Sequence, residues 1–264
     1  MLIESKWQIA VSEATTIPRS YRIALAKELH QRLGWEMGGN DIPPITSSGI
    51  IGVCSTSKEY VTFHPEECYT LYLCGLNEAA AKAIASLELP PTLAFLGGQF
   101  HIRDRQDTTT TYEQLYTATV AEEPEPTRHF NLRFLSPTAF SQGKTHLPLP
   151  VPTLMFRSWL ERWNHFASIY LGGDELIAYL QDAVVIQRHN IQTSRFQLSK
   201  GYINGFAGSV TLRTFHRVDP LLANVVHLLI EYGRFAGTGI KTRLGMGKTE
   251  LMLPEASMEE KTVA

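Results

Sequence analysis

Gly237-Thr238-Gly239-Ile240-Lys241-Thr242-Arg243-Leu244-Gly245-Met246-Gly247-Lys248 lies between an apolar helical run, Leu221–Phe235, and a short apolar strand, Lys248–Leu253. Four glycines alternate with three cations. Glycine lets one backbone approach another closely and reach positive φ. Successive exposed N–H groups in such a loop bind anions, and cations add charge. Two readings stand open: a loop that receives a polyphosphate or nucleic-acid backbone, and a tight connection with no ligand. Spacing excludes two nucleotide loops. A Walker loop needs glycine five residues before Gly247-Lys248-Thr249, where Thr242 stands, and a helix after it. A dinucleotide loop needs glycine or alanine at Thr242 and a following helix as well.

Outward from the loop, the pattern predicts one arrangement twice. Ser5–Val11 reads as a strand. Pro18–Leu33 reads as a helix capped near Thr16 or Ile17, with Leu25, Leu29 and Leu33 on one face and Gly34 as its stop. Ile50–Cys54, Tyr60–Phe63 and Thr70–Cys74 read as strands. Asn77 caps a helix over Glu78–Leu87. Leu93–Ile102 reads as a strand with a bulge or bend at Gly97-Gly98, and Tyr112–Val120 as further strand. Glu122-Glu123-Pro124-Glu125-Pro126 is the linker candidate, dividing the chain into 1–124 and 125–264. Arg128–Ser136 then begins the pattern again. Helices over Pro152–Phe166 and Gly173–Leu180 follow, then strands over Ala183–Leu198 and Gly205–Phe215, the helix Leu221–Phe235 and the final strand. Each half reads β-α-β-β-α-β. The fold class is α+β: two tandem ferredoxin-like (RRM-like) domains with a C-terminal glycine-rich loop. Met258–Ala264 reads as a frayed tail.

Composition narrows the function. Apolar residues make up 44% of the 264, enough for a sizeable core. No apolar run approaches the roughly 18–20 residues that span a membrane, and the start lacks a signal-peptide pattern. The three cysteines, Cys54, Cys68 and Cys74, form no Cys-x-x-Cys, so disulfides and zinc are disfavoured and a cytoplasmic location is expected. Charge is uneven. Ile186–Lys248 holds nine Lys/Arg and two Asp/Glu, a local net of +7, whereas the remainder has 15 basic and 24 acidic residues. That asymmetry fits a basic face for nucleic acid on an otherwise acidic protein. It equally fits a solvated face paired with the acidic half.

Two ferredoxin-like halves ending in Gly-x-Gly-x-Lys-x-x-x-Gly-x-Gly resemble the CRISPR-associated endoribonucleases of the RAMP superfamily, which cut precursor CRISPR RNA within its repeats. Phe134-Leu135-Ser136-Pro137-Thr138-Ala139-Phe140 and Pro44-Ile45-Thr46-Ser47-Ser48-Gly49-Ile50 are similar to that family too. The resemblance implies cleavage without metal or cofactor. The 2′-hydroxyl attacks the adjacent phosphate, leaving a 2′,3′-cyclic phosphate and a 5′-hydroxyl. It implies repeat RNA as the partner, with other Cas proteins of an effector complex and a second copy of the chain as further candidates.

Such chemistry needs a base, an acid and cations for the developing phosphorane charge. His30, near the end of the first helix where the family places catalytic residues, is the acid/base candidate. Lys27, one turn earlier, is the candidate for neutralising charge, with Tyr21 and Arg22 nearby and Ser47 and Ser48 as orienting groups. Relatives often carry a histidine between this helix and the Pro44–Ser48 segment; none occurs in Gly34–Pro43. Arg188, Arg195 and Lys200, flanking the long hairpin of the second half, are expected to contact phosphates. So are Gly237, Gly239, Lys241, Arg243, Gly245, Gly247 and Lys248. Tyr202 and Phe206 are stacking candidates. No His/Asp/Glu cluster has metal-ligand spacing, so no metal site is expected. A non-cleaving RAMP subunit holding guide RNA is the alternative.

Overall fold

In this computed structural model, which describes residues 1–35 and 42–252, the first half comprises β1 (Leu2–Ala10), β2 (Thr15–Pro18), α1 (Tyr21–Arg32), β3 (Ile45–Ile51), β4 (Ser55–Thr56), β5 (Tyr60–Phe63), β6 (Tyr69–Gly75), α2 (Glu78–Ala85), β7 (Thr92–Phe95) and β8 (Gly98–Thr110). An antiparallel sheet runs β3-β6-β1-β8-β7. Its first four members stand in the order that a β-α-β-β-α-β unit gives when each helix carries the chain across the sheet. Leu25 and Leu29 of α1 and Ala80, Ala81 and Ile84 of α2 bury their faces against Ile3, Trp7, Leu71, Leu73 and Phe100. Asn77 caps α2 by accepting from the Ala80 N–H at 2.8 Å.

Local details depart from the sequence reading for identifiable reasons. Thr15–Pro18 is not the start of a helix. It pairs with β5, and β5 with β4, in a small separate sheet, so α1 begins only at Tyr21. Tyr60–Phe63 accordingly lies outside the main sheet. Gly97-Gly98 is no bulge: Leu96 and Gly97 both take positive φ and turn β7 into β8. Tyr112–Val120 is helical. It comprises α3 (Tyr112–Tyr116) and a π turn over Thr117–Ala121, started by a capping box between Thr111 and Gln114. The alternation read as strand therefore yields to a local cap. Leu253 and the tail Met258–Ala264 lie outside the described residues.

The second half comprises β9 (His129–Thr138), β10 (Phe140–Gln142), β11 (Thr145–Leu147), α4 (Pro152–Phe166), α5 (Asp174–Ala183), β12 (Val184–Gln197), β13 (Tyr202–Thr214), α6 (Pro220–Ala236) and β14 (Thr249–Met252). The sheet runs β12-β13-β9-β14, the same order as before. Trp159 and Trp163 of α4 and Tyr232 of α6 fill its core, and Tyr112 of α3 packs edge-on against Trp163 at 5.0 Å between ring centres. Leu2 and Leu76 of the first half also enter this core.

The halves are joined where the end of α6 and the start of β14 meet β1, β3 and β6. Lys248 is 4% exposed. Its ammonium donates to the Glu4 carboxylate and, at 2.9 Å, to the Arg234 carbonyl, and lies 4.4 Å from the centre of the Tyr72 ring. Arg234 adds a second bond to Glu4 at 3.3 Å. Thr46 donates to the Phe235 carbonyl at 2.8 Å, and Tyr72 to the Glu250 carboxylate at 2.6 Å. Burial pushes the Glu4 carboxyl upward, but Lys248 and Arg234 together outweigh it and hold the group below the ordinary range. Lys248 is therefore a joint between the halves, not the surface phosphate contact expected of it.

Removing one partner of a buried ion pair costs about 3–5 kcal/mol, so Lys248→Ala is expected to lose that much in urea unfolding. The lowered Glu4 pKa gives the sign of the pH dependence. The pair's stabilisation is present above the unfolded value of about 4.3 and is lost as pH falls below it. A Glu4→Gln, Lys248→Met double variant should lack that acid-dependent component.

Candidate functional site

The glycine-rich loop is held from inside. Gly237 donates to the Gly233 carbonyl, Gly239 to Ser158 Oγ, Gly247 to the Pro137 carbonyl, and Thr238 to the Gly247 carbonyl, all at 2.8–3.0 Å. Arg162 holds the Gly239 carbonyl at 2.7 Å. A Cβ on Gly239 would fall 2.2 Å from the Ala139 carbonyl oxygen, and one on Gly247 would fall 2.1 Å from that of Thr238. Of the two sequence readings, the glycines thus serve close packing. All four are buried, and the N–H groups of Gly237, Gly239 and Gly247 are unavailable to a phosphate. Gly245, at φ 104°, ends a 3-10 turn over Thr242–Leu244 and comes against Gly49. What the loop presents outward is Lys241, which is exposed, and Arg243, which is half-buried.

Helix α1 faces that turn. Arg22, Ala26 and His30 recur every four residues and so share one stripe. The Arg22 stem passes over Gly49 and Gly245. His30 is 4% exposed, and its Nδ1 lies 2.8 Å from the Ala26 carbonyl oxygen. A carbonyl only accepts, so Nδ1 carries the proton. Burial depresses the His30 pKa; the bond to Ala26 opposes that, and nearby Arg243 lowers it further. The imidazole is therefore neutral near pH 7, with its lone pair on Nε2, and among the described residues Nε2 has no hydrogen-bond partner. Lys27 is exposed, beside this stripe.

A cleft of about 350 Å³ lies between the halves at the other end of α1. Arg19, Arg22 and Arg195 line it with Tyr21, Ser194 and Gln192, and no acidic residue does among the described residues. Tyr21 donates to the Ile50 carbonyl at 3.0 Å. Ser20 makes no side-chain cap at the start of α1, and the first turn holds no acid. The positive helix end is thus reinforced by arginines instead of being offset. Such a field favours an anion.

The expected residues do not all converge. His30, Arg243 and Arg22 meet along α1 and the loop. Arg195 joins Arg22 in the cleft. Eight residues of helix separate Arg22 from His30, about 12 Å. Arg188 is exposed on β12 seven residues before Arg195, about 23 Å away along the strand, and Lys200 sits at the hairpin tip; neither lies at His30. Ser47 and Ser48 are buried, and Ser48 Oγ accepts from the Tyr72 N–H at 2.9 Å, holding the sheet. Phe206 is 1% exposed and belongs to the core. Arg19 and Arg162 escaped the sequence reading. Arg19 carried a signal, a cation immediately before a helix start where an acid is favoured. Among the described residues, no three His, Cys, Asp or Glu side chains are grouped to hold a metal ion, and no helix is long and apolar enough to cross a membrane.

Residues 132–249 match the sequence model of a family described as CRISPR-associated endoribonuclease Cas6. The match contains both the Phe134–Phe140 segment and the glycine loop that carried the resemblance. The CRISPR-associated endoribonuclease Cas6 of Mycobacterium tuberculosis (strain ATCC 25618 / H37Rv) is 32% identical over 121 residues, 46% of this chain and 38% of that protein. The one of Streptococcus thermophilus is 27% identical over 124 residues, 47% of this chain and 50% of that protein. The chain thus spans half or less of the length of these relatives. The solved Thermus thermophilus Cas6 superposes with a TM-score of 0.69 at 21% identity, over 96% of this chain and 98% of that one. The shared fold is the tandem ferredoxin-like α+β fold expected from the sequence.

His30 should titrate below 6.5 in an NMR pH series, and Arg243→Gln should move its midpoint upward; a midpoint at or above 6.5 would contradict the buried neutral form. Gly247→Ala should destabilise the protein by about 3 kcal/mol, combining the left-handed backbone with the clash against Thr238, as read from its urea midpoint.

Proposed function

We propose that the protein is an endoribonuclease that cuts precursor CRISPR RNA within its repeats by 2′-hydroxyl attack, without metal. The observation that carries this reading is the interdomain cleft, where three arginines meet an uncapped helix end with no acid among the described lining residues. An RNA backbone supplies the charge such a cleft lacks. The names of the related proteins point to the same substrate class.

The geometry divides the work. The cleft holds RNA beside the cut, and Lys241 and Arg243 continue the positive path along the loop toward His30. The neutral His30 Nε2 takes the 2′-hydroxyl proton as that oxygen bonds to phosphorus. Arg243 offsets the phosphorane charge. The bond to the 5′-oxygen breaks, and that oxygen takes a proton from solvent water, while Lys27 at the solvent edge is the candidate for neutralising charge at the phosphate. The products are a 2′,3′-cyclic phosphate and a 5′-hydroxyl. Residues 1–124 supply the candidate catalytic helix, and residues 125–264 supply the loop and hairpin cations. The same reading gives a cytoplasmic protein whose partner is repeat RNA. Other Cas proteins of an effector complex and a second copy of the chain stand as further candidates.

The burial of His30 favours one second reading, a subunit that holds guide RNA without cutting it. Incubation of a repeat RNA from the encoding genome with wild type and His30→Ala, in EDTA, separates the two. Cleavage by wild type is expected. It should fall by about 10²-fold or more in His30→Ala, the scale of a lost acid or base, and vanish with a 2′-deoxy nucleotide before the cut. Tight binding without cleavage gives the second reading.

A further inference from the structure

Strands β12 and β13 form a long hairpin whose tip stands beside the basic cleft. The Leu198 N–H donates to the Gly201 carbonyl at 3.0 Å, and Gly201 takes φ 76° to close the turn. The Gln197 amide adds bonds to the Leu198 and Gly201 carbonyls at 3.3 and 2.9 Å. The tip is thus fixed by backbone and side chain together. Strand alternation sends Phe196 and Ile203, which face each other, into the protein, at 0% and 3% exposure. The next pair, Gln197 and Tyr202, points the other way.

Tyr202 is left 52% exposed, an unusual place for a ring at the end of a strand that has a core to join. The Arg195 guanidinium lies 4.9 Å from the ring centre. Arg195 also lines the cleft with Arg19 and Arg22, and exposed Lys200 sits two residues before Tyr202. The result is a cation–aromatic pair at the edge of the arginine-lined cleft.

Resting on the RNA reading above, we infer that Arg195 and Tyr202 form a stacking platform for one unpaired nucleobase flanking the bound RNA segment. Arg195 already occupies the attractive face of the ring and repels a second cation, which disfavours an ammonium ligand. A neutral planar base stacks on an aromatic ring or on a guanidinium plane. Its own phosphate falls among the arginines of the cleft. The platform reads a single-stranded flank, whereas the cleft cations bind backbone of any sequence. It is a binding device and touches no reacting atom.

The test uses a 2′-O-methyl repeat RNA with single-stranded flanks, which 2′-hydroxyl attack cannot cut, and fluorescence anisotropy at one fixed salt concentration. An abasic nucleotide is walked through the flanks against wild type, Tyr202→Ala and Tyr202→Phe. In wild type, one or two adjacent abasic positions should weaken binding roughly 5- to 150-fold, the range for one stacked base. Tyr202→Ala should bind intact RNA that much more weakly and be indifferent to the same abasic positions, while Tyr202→Phe should behave as wild type. If Tyr202→Ala binds like wild type, or keeps the full abasic penalties, the platform is wrong while RNA binding stands. If wild type binds none of these RNAs, the platform and the RNA reading fall together.

Discussion

The structure turns on one buried carboxylate. Glu4, in the first strand of the chain, accepts from Lys248, which lies between the glycine loop and the last strand, and from Arg234 on the helix preceding that loop. Two segments more than two hundred residues apart are thereby held at one point. Desolvating these charges is costly, and their mutual pairing, the Arg234 carbonyl and the Tyr72 ring compensate. An apolar pair could join the halves at least as strongly. A slip at this joint would leave Glu4 or Lys248 buried without its partner, which costs several kcal/mol. The basic cleft and the stripe of α1 facing the loop both lie across this joint, so their geometry depends on it.

The glycine loop shows how one sequence feature can serve packing and set the electrostatics beside it at once. Its glycines bring Pro137–Ala139, Thr238 and Gly247 to backbone contact, and Arg162 and Ser158 complete the stitching. Because the loop is rigid, Lys241 and Arg243 leave it at fixed points. Arg243 can then lower the pKa of His30. A flexible loop with the same charges would not hold that relation.

Periodicity made most of the fold legible. The α4 stripe of Phe156, Trp159 and Trp163 gave its helix to the residue, and Asn77 marked the start of α2. What stayed hidden depended on partners distant in sequence. Thr15–Pro18 carries helix-start residues, yet a strand nearly fifty residues later claims it. Tyr112–Val120 alternates as a strand would, but Thr111 and Gln114 form a cap. Lys248 looked like its neighbours Lys241 and Arg243, since nothing local says that Glu4 waits for it. The cleft was half legible. Arg195 stood out in a basic stretch, whereas Arg19 was marked only by its place before a helix start, not by the charge of its segment. His30 was visible as a residue, but its neutral state arises from burial and from Arg243, both tertiary facts.

The ends of the product RNA report both the bond that is cut and the group that attacks it. Mass spectrometry of the fragments formed from a repeat RNA in EDTA should find a 2′,3′-cyclic phosphate on one and a 5′-hydroxyl on the other. A 3′-hydroxyl facing a 5′-phosphate would mean that water attacked from the opposite side, and the assignment of His30 and Arg243 to this chemistry would be wrong.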